Sequence, residues 1–453
     1  MSKYKTYPEY KSSEVEWLGK IPKHWNVKKI KYSAVCTPSN IDKKSKNGEE
    51  AVILCNYTDV YYNEEIDSNL DFMKATATDE QIKKFTLRKN DVIITKDSED
   101  PNDIAVPTLI IEDVNSLVCG YHLALIRATN SYGPFLKRYF NSKFARSFFA
   151  TKANGLTRYG LGTYPLVNAP VPMPPFTEQE TIASFLDSEI GKINQLIKKQ
   201  EKLIVLLEEK RQAVINHAVT KGLDPSVPMK DSGVEWLGEI PKHWDIVPMK
   251  RIVEVKDGTH NTPKYVTPSK YSFPLITSKD FFGNRISFET SKFISREDHF
   301  EIIKRSNTEA GDVLMSMIGG NIGKAVIVKE TADFSIKNVA LFKAKAFSNT
   351  AEYILYYLQS GLLDIQISLL SRGGAQGFLS LGDLRNLQFF KVPKNEMKEI
   401  VRYLNQCASK FDNLIDKAQS AIELLQERRT ALISAAVTGK IDVRGFKNNE
   451  DVL

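Results

Sequence analysis

The sequence predicts an α+β chain organised as an internal duplication. Two mixed α/β units are separated by two long helices, which pair as an antiparallel coiled coil about a pseudo-twofold. Three observations predict this. Residues 14–25, EVEWLGKIPKHW, return as GVEWLGEIPKHW at 233–244, and all four tryptophans of the chain lie in these two copies (Trp17, Trp25, Trp236, Trp244). Residues 210–220, KRQAVINHAVT, return as RRTALISAAVT at 428–438 with almost the same spacing. Each copy of the second motif ends a segment whose apolar residues recur with a period of 3.5, the coiled-coil seam.

In chain order, residues 1–176 form the first globular unit and 177–222 the first long helix. Residues 223–392 form a linker and the second unit, 393–440 the second long helix, and 441–453 a polar, frayed tail. The first unit holds β-branched runs bounded by turn formers, AVILC, DVIIT, VPTLIIED and YHLALIRA; the second holds FPLIT, DVLMSMIGG, KAVIVKE and NVALFKAK. These read as strands. Each unit adds one apparent helix, at 135–150 and at 351–370. Otherwise the two scarcely resemble each other. The faint parallels are Asn90-Asp91-Val92 against Gly311-Asp312-Val313, and 169–172 against 387–390. The first long helix begins after the prolines of Met173-Pro174-Pro175-Phe176, where Thr177 and Glu180 have capping-box spacing. Its seam carries Ile190, Ile197, Ile204, Leu207 and Val214, with Leu196 and Leu203 widening the stripe. The second seam carries Ile415, Ile422, Leu425 and Leu432. Gly222 and Gly439 close the two helices. At about 1.5 Å per residue, each would span roughly 65 Å.

Composition narrows the function classes. A formal charge of +7 over 453 residues permits an anionic partner without demanding one. The four cysteines, Cys36, Cys55, Cys119 and Cys407, are scattered without metal-ligand spacing, so a reduced, cytoplasmic setting and no zinc site are expected. No apolar run is long enough for a membrane span. Catalytic motifs fail on their chemistry. Met173 stands where an amino-methyltransferase needs Asn or Asp to accept from the target amine. Ile318 and Ala325 stand where a phosphate loop needs its first Gly and its metal-binding hydroxyl. Glu396-Met397-Lys398 lacks the aspartate context of a nuclease site. No catalytic residue and no metal ligand is therefore assigned.

What remains are contact residues. The loop Asp257-Gly258-Thr259-His260-Asn261-Thr262-Pro263 and the loop 371–377, with its counterpart 154–160, are polar and glycine-rich. Arg and Gln side chains reach guanine and adenine edges, and Gly lets the backbone approach a phosphate. The candidate nucleic-acid contacts are Lys96, Arg158, Tyr159, Thr259, His260, Lys279, Lys324, Arg372 and Gln376, with Lys337 a further phosphate candidate. Trp17, Trp25, Trp236 and Trp244 recur in both copies, so they suit docking to the scaffold rather than reading a target, and His24 and His243 beside them suit packing.

Taken together, the VEWLG–IPxHW segments, the DGTH-type loop at 257–263 and the GDVL…GNIGK stretch at 311–324 resemble the specificity subunit of type I restriction-modification systems. So do the late Gly/Gln loop, the PxPP helix start at 172–180 and the [KR]RxAxIxxAVT helix ends, and the resemblance covers nearly the whole chain. The first unit departs from the pattern, with Asn90 for the Gly of the GD[VI] turn and no recognisable DGTH loop. The resemblance implies two target-recognition domains, each reading one half of a bipartite site in double-stranded DNA. It implies a coiled coil that sets the gap and docks two modification subunits, with restriction subunits completing the complex. It further implies no cofactor on this chain, with S-adenosylmethionine, ATP and Mg on the partners, and no membrane association. The alternative from another class is a non-enzymatic coiled-coil adaptor for protein or peptide partners.

Overall fold

A computed structural model describes residues 4–329, 333–344, 349–370 and 378–447. The chain divides into two compact units: unit 1 combines residues 1–200 with 420–453, and unit 2 comprises 201–419. Each unit thus owns a globular region plus a part of both long helices.

In unit 1 the principal sheet has the order Ala34–Pro38, Leu123–Ala128, Val92–Thr95, Pro107–Ile110, Glu65–Ile66, antiparallel except for its last pair. All four residues of Val92–Thr95 are buried, which explains a continuous apolar run in place of alternation. A three-stranded sheet runs Leu117–Cys119, Glu50–Cys55, Met73–Ala77, its first pair parallel. Strand Asn26–Lys29 pairs with Pro170–Met173 and so joins the tryptophan segment to the start of the long helix. One apolar core collects Trp25, Val92, Ile126, Tyr139, Ile182 and Leu186 with Leu432 and Ile433. A second core lies under the smaller sheet around Val52, Phe85 and Val118.

Unit 2 repeats this plan. Its sheet runs Glu254–Asp257, Val339–Lys343, Val313–Ser316, Ala325–Ile327. Phe273–Ile276 pairs in parallel with Ser335–Ile336 and antiparallel with Lys292–Ile294. Asp245–Pro248 pairs with Gln388–Lys391, as its counterpart does in unit 1. The two globular regions, unlike in sequence, therefore share a core topology; unit 1 adds the parallel edge strand Glu65–Ile66 to its larger sheet, and unit 2 adds the edge strand Tyr265–Val266 to its smaller one. Burial fixes which positions are apolar and leaves free which apolar residue fills each, so the pattern outlasts the sequence.

The long helices span Phe176–Lys221 and Lys394–Val437, 46 and 44 residues. The first starts one residue ahead of Thr177, with the Pro175 carbonyl accepting from Glu178 and Gln179. Gly222 and Gly439 both adopt positive φ, the left-handed turn that ends a helix. In unit 1, Ile190 and Ile193 are buried in the core that holds Leu432, with Ile197 and Leu425 packed against it, while Ile422 is buried as well. In unit 2, Val214 packs on a core that includes Ile400 and Leu404, and Ile204, Leu207 and Ile415 are half-buried. Within each unit the chain directions oppose. Leu196 and Leu203 do not widen the seam; they are 45% and 42% exposed. Each single helix expected at 135–150 and 351–370 is two: Gly133–Phe140 with Lys143–Lys152, and Thr350–Leu358 with Leu362–Leu370. Ser142 caps the second helix of the first pair by accepting from the Ala145 amide. Gly361, with positive φ, breaks the other pair. The tail is not frayed at its start. Ile441 and Val443 are buried, and the Asp442 amide donates to the Lys5 carbonyl.

Candidate functional site

Each buried tryptophan of the repeated segments meets a glutamate in the first turn of a long helix. Glu178, in the first turn of the long helix and buried, accepts from Trp25 Nε1 at 3.1 Å and Tyr7 Oη at 2.5 Å and contacts His24 Nε2 at 2.8 Å. Burial, then this carboxylate, pushes the Tyr7 phenol up. In unit 2, Glu396 accepts from Trp244 Nε1 at 3.0 Å and contacts His243 Nε2 at 2.7 Å. A carboxylate is favoured at a helix N-terminus, which places Glu in this turn in both copies. The Glu396-Met397-Lys398 triplet thus has a structural occupation. Trp25 and Trp244 are fully buried; Trp17 stacks on Phe144 with ring centroids 6.0 Å apart, and Trp236 packs on the core of unit 2.

The candidate contacts gather at one end of each sheet. In unit 1, the strand pair Asp97–Ser98 and Tyr159–Gly160 brings the 154–160 turn beside Lys96. Asp97 is the hub: Lys96 Nζ donates to both its oxygens at 3.0 and 2.8 Å, and His122 Nδ1 lies 2.7 Å from it. Burial raises the Asp97 carboxyl, but the Lys96 and His122 hydrogen bonds outweigh it and hold it below the usual carboxylate range. The Tyr121 ring is centred 3.9 Å from the His122 imidazole. Tyr57 Oη donates to Ser98 Oγ at 3.2 Å and its ring stacks on Tyr61, beside the exposed Tyr62. Arg158 is exposed on the same turn, and Tyr159 is half-buried.

In unit 2 the backbone equivalences are direct. The parallel bridge Ile41–Gly120 recurs as Thr259–Lys337, and Leu161 bonding the Lys96 carbonyl recurs as Leu379 bonding that of Met317. Residues 39–42 are therefore the unit 1 counterpart of the DGTH loop, which the sequence did not reveal. Thr259 Oγ1 donates locally to Asn261 O. His260 contacts Asp257 Oδ2 through Nε2 at 2.9 Å and Asn338 Oδ1 through Nδ1 at 3.1 Å, so both ring nitrogens are engaged within the protein. Buried Asp257 is also held by Arg305. Lys279 and Lys337 line a cavity of about 450 Å³ with Lys292, Thr277, Tyr265 and Asn338. Lys324 stands outside that lining, its ammonium donating to the Phe281 carbonyl at 2.6 Å. Arg372 and Gln376 lie outside the described residues.

Sequence reasoning passed over Asp97, His122, Asn338, Glu178 and Glu396. A signal existed: His122-Leu123-Ala124-Leu125 aligns with Asn338-Val339-Ala340-Leu341, but both were read as strand alone. Among the described residues, no group of three or more His, Cys, Asp or Glu is placed to hold a metal ion, and no helix is long and apolar enough to cross a membrane.

Comparison with known proteins places this geometry. Residues 241–424 match the family described as the type I restriction modification DNA specificity domain. The MjaVIII specificity subunit of Methanocaldococcus jannaschii is 23% identical over 373 residues, 80% of this chain and 82% of that one. The EcoBI specificity subunit of Escherichia coli is 23% identical over 326 residues, covering 70% and 68%. Among solved structures, a chain from work on assembly and conformational transition of the type I R-M system superposes with a TM-score of 0.67 at 16% identity, covering 92% of this chain and 98% of that one. The HsdS subunit from Thermoanaerobacter tengcongensis gives 0.52 at 17% identity, covering 93% and 98%.

Proposed function

We propose that this chain, which belongs to the specificity subunits of type I restriction-modification systems, reads a DNA site split into two different halves, one by each globular region. One observation carries the reading. The same fold and the same tryptophan–glutamate dock occur twice, yet equivalent tip positions hold different side chains: Asp97 against Ile318, His122 against Asn338. A frame kept constant while its tips diverge suits one architecture presenting two specificities. Polar and basic side chains in these places fit base edges and phosphates in a groove.

The roles follow. Lys96, Arg158 and Tyr159 of unit 1, and Thr259, Lys279 and Lys337 of unit 2, face the DNA, with Arg372 and Gln376 supplied by the late loop. His260 holds Asn338 in place. The long helices set the gap between half-sites. Their exposed apolar residues, including Leu203, Val205, Leu206 and Leu424, support docking of two modification subunits. Restriction subunits join that complex. The chain itself is non-catalytic and cytoplasmic, binds no cofactor, and leaves S-adenosylmethionine, ATP and Mg to its partners. The adaptor alternative is not favoured by the relatives above.

Co-expression with the modification subunit in a methylation-free host, followed by mapping of methylated adenines, tests this. One split motif, two unlike halves around a fixed gap, is expected. A soluble complex that adds no methylation overturns the reading. Four residues inserted within 203–210 should change the gap and leave both half-site sequences intact.

A further inference from the structure

Residues His122 and Asn338 occupy one position in the duplicated fold. Each is the last residue before the central strand of its sheet, Leu123–Ala128 or Val339–Lys343. Each is forced into the left-handed region, with φ of +71° and +55°. A side chain there carries a backbone cost that glycine would avoid. Each neighbouring backbone is pinned: the Lys96 amide donates to the His122 carbonyl, and the Met317 amide to that of Asn338. The strain is thus imposed by the fold, and a side chain is retained despite it in both units.

Both side chains are also held by a partner that the other unit lacks. Asp97 grips His122 Nδ1, leaving Nε2 uncommitted among the described residues. In unit 2 the place of Asp97 is taken by Ile318, and the grip comes from the opposite loop, where His260 Nδ1 lies 3.1 Å from the Asn338 side-chain amide and leaves the other amide atom for another group. The His122 side chain is 22% exposed beside the exposed Tyr121, and Asn338 lines the cavity of about 450 Å³. Two different solutions thus orient two different hydrogen-bonding groups at one strained position.

We infer that this position is a specificity determinant in each half: His122 fixes one base of the half-site read by unit 1, and Asn338 one base of that read by unit 2. Asp97 and His260 are their positioning residues. The inference rests on the DNA-reading function proposed above.

Glycine replacement is the cleanest probe, because it removes the side chain and suits the backbone. H122G and N338G, each in the full chain with its modification subunit, are mapped for methylated adenines beside the unaltered protein. H122G is expected to relax one base position of one half-site by about ten- to a hundredfold, the worth of a good base contact, and N338G one position of the other half. The gap and the untouched half stay as they were. Unchanged motifs in both variants, with methylation intact, overturn the inference; so does relaxation of both halves by either variant. A split motif from the unaltered protein separates this failure from failure of the DNA-reading function, which would give none. Should a glycine variant not accumulate, H122N transplants the unit 2 residue, tolerant of positive φ, to the same place: an altered half-site supports the inference and an unaltered one refutes it.

Discussion

Arg138 and Tyr356 stand at the same point of the two units, one residue before a tyrosine whose hydroxyl bonds a carbonyl of the frame strand: Tyr139 to Pro170, Tyr357 to Gln388. From there each reaches the long helix of its own unit. Arg138 pairs with Asp187 at 2.5 Å; Tyr356 donates to Asn405 at 2.6 Å. The residue before differs in the same sense. Lys137 is 1% exposed and lies 3.1 Å from Glu64, whereas its counterpart Leu355 is buried in apolar surroundings. Glu64 also takes Arg138 and, from the second long helix, Arg429. Unit 1 thus fastens its globular region to the helices with charge, and unit 2 does so with neutral groups. The geometry of the joint is conserved while its chemistry is exchangeable, although the charged version leaves the buried Nε of Arg429 without a hydrogen-bond partner among the described residues.

That comparison can be broken in four places. The largest effect belongs to what the units share. W25A and W244A each remove a fully buried indole and, with it, one hydrogen-bond donor to a dock carboxylate. Each should cost about 3–5 kcal/mol in denaturant unfolding followed by far-ultraviolet circular dichroism. Losses that differ widely between them would show that the two docks are not equivalent.

Next is what only unit 1 has. Burial, then the charge of Arg138, lowers the Lys137 ammonium to about 7, against the opposing pull of Glu65 and Asp187. Between about 7 and its ordinary value near 10, the unfolded chain holds a proton that the folded chain has released, so stability should rise with pH across that window. K137L, which copies Leu355, should abolish this rise and add about 1–2 kcal/mol at pH 7. A rise that survives in K137L would assign it to another group.

Y356F deletes the neutral joint of unit 2 and leaves Asn405 free to bind water, so a loss of about 1 kcal/mol is expected, independent of salt. Salt dependence would mean that charge acts there after all. Smallest is N90G. Asn90 and Gly311 head equivalent strands, and both have positive φ. Stability should therefore move by about 0.5 kcal/mol or less in the same unfolding measurement. A larger loss would give the Asn90 side chain work that the turn does not require.

The duplicated frame was readable in the sequence because it is repeated literally: the tryptophans, the helix ends and the seam are the same residues at the same spacing. The common topology of the globular regions was not. Val92–Thr95 and Val313–Ser316 are wholly buried strands whose identity lies in apolar character alone, and apolar runs do not announce which neighbour they pair with. The tip clusters were half legible. Tyr159 and His260 fell in loops marked by composition, and Lys96 and Lys279 stood out as candidate phosphate contacts, but His122 and Asn338 adjoin strands and meet Asp97 and His260 only through long-range pairing. Glu178 and Glu396 were hidden differently. Glu178 drew no motif and Glu396 only a rejected nuclease triplet, and only the folded tryptophan shows what each holds.

The confinement of all four tryptophans to the frame has an optical consequence. Trp25 and Trp244 sit without solvent against acidic side chains, and Trp17 and Trp236 flank them at the same docks. The emission of this protein is therefore a private signal of the two docks. A globular tip that melts, shifts or takes up a ligand away from them leaves the indoles where they were, and a fluorescence trace would report a rigid molecule throughout. Tyrosine, of which the chain has 18, including Tyr57, Tyr61, Tyr62 and Tyr121 near the unit 1 tip, is the chromophore that watches the other end.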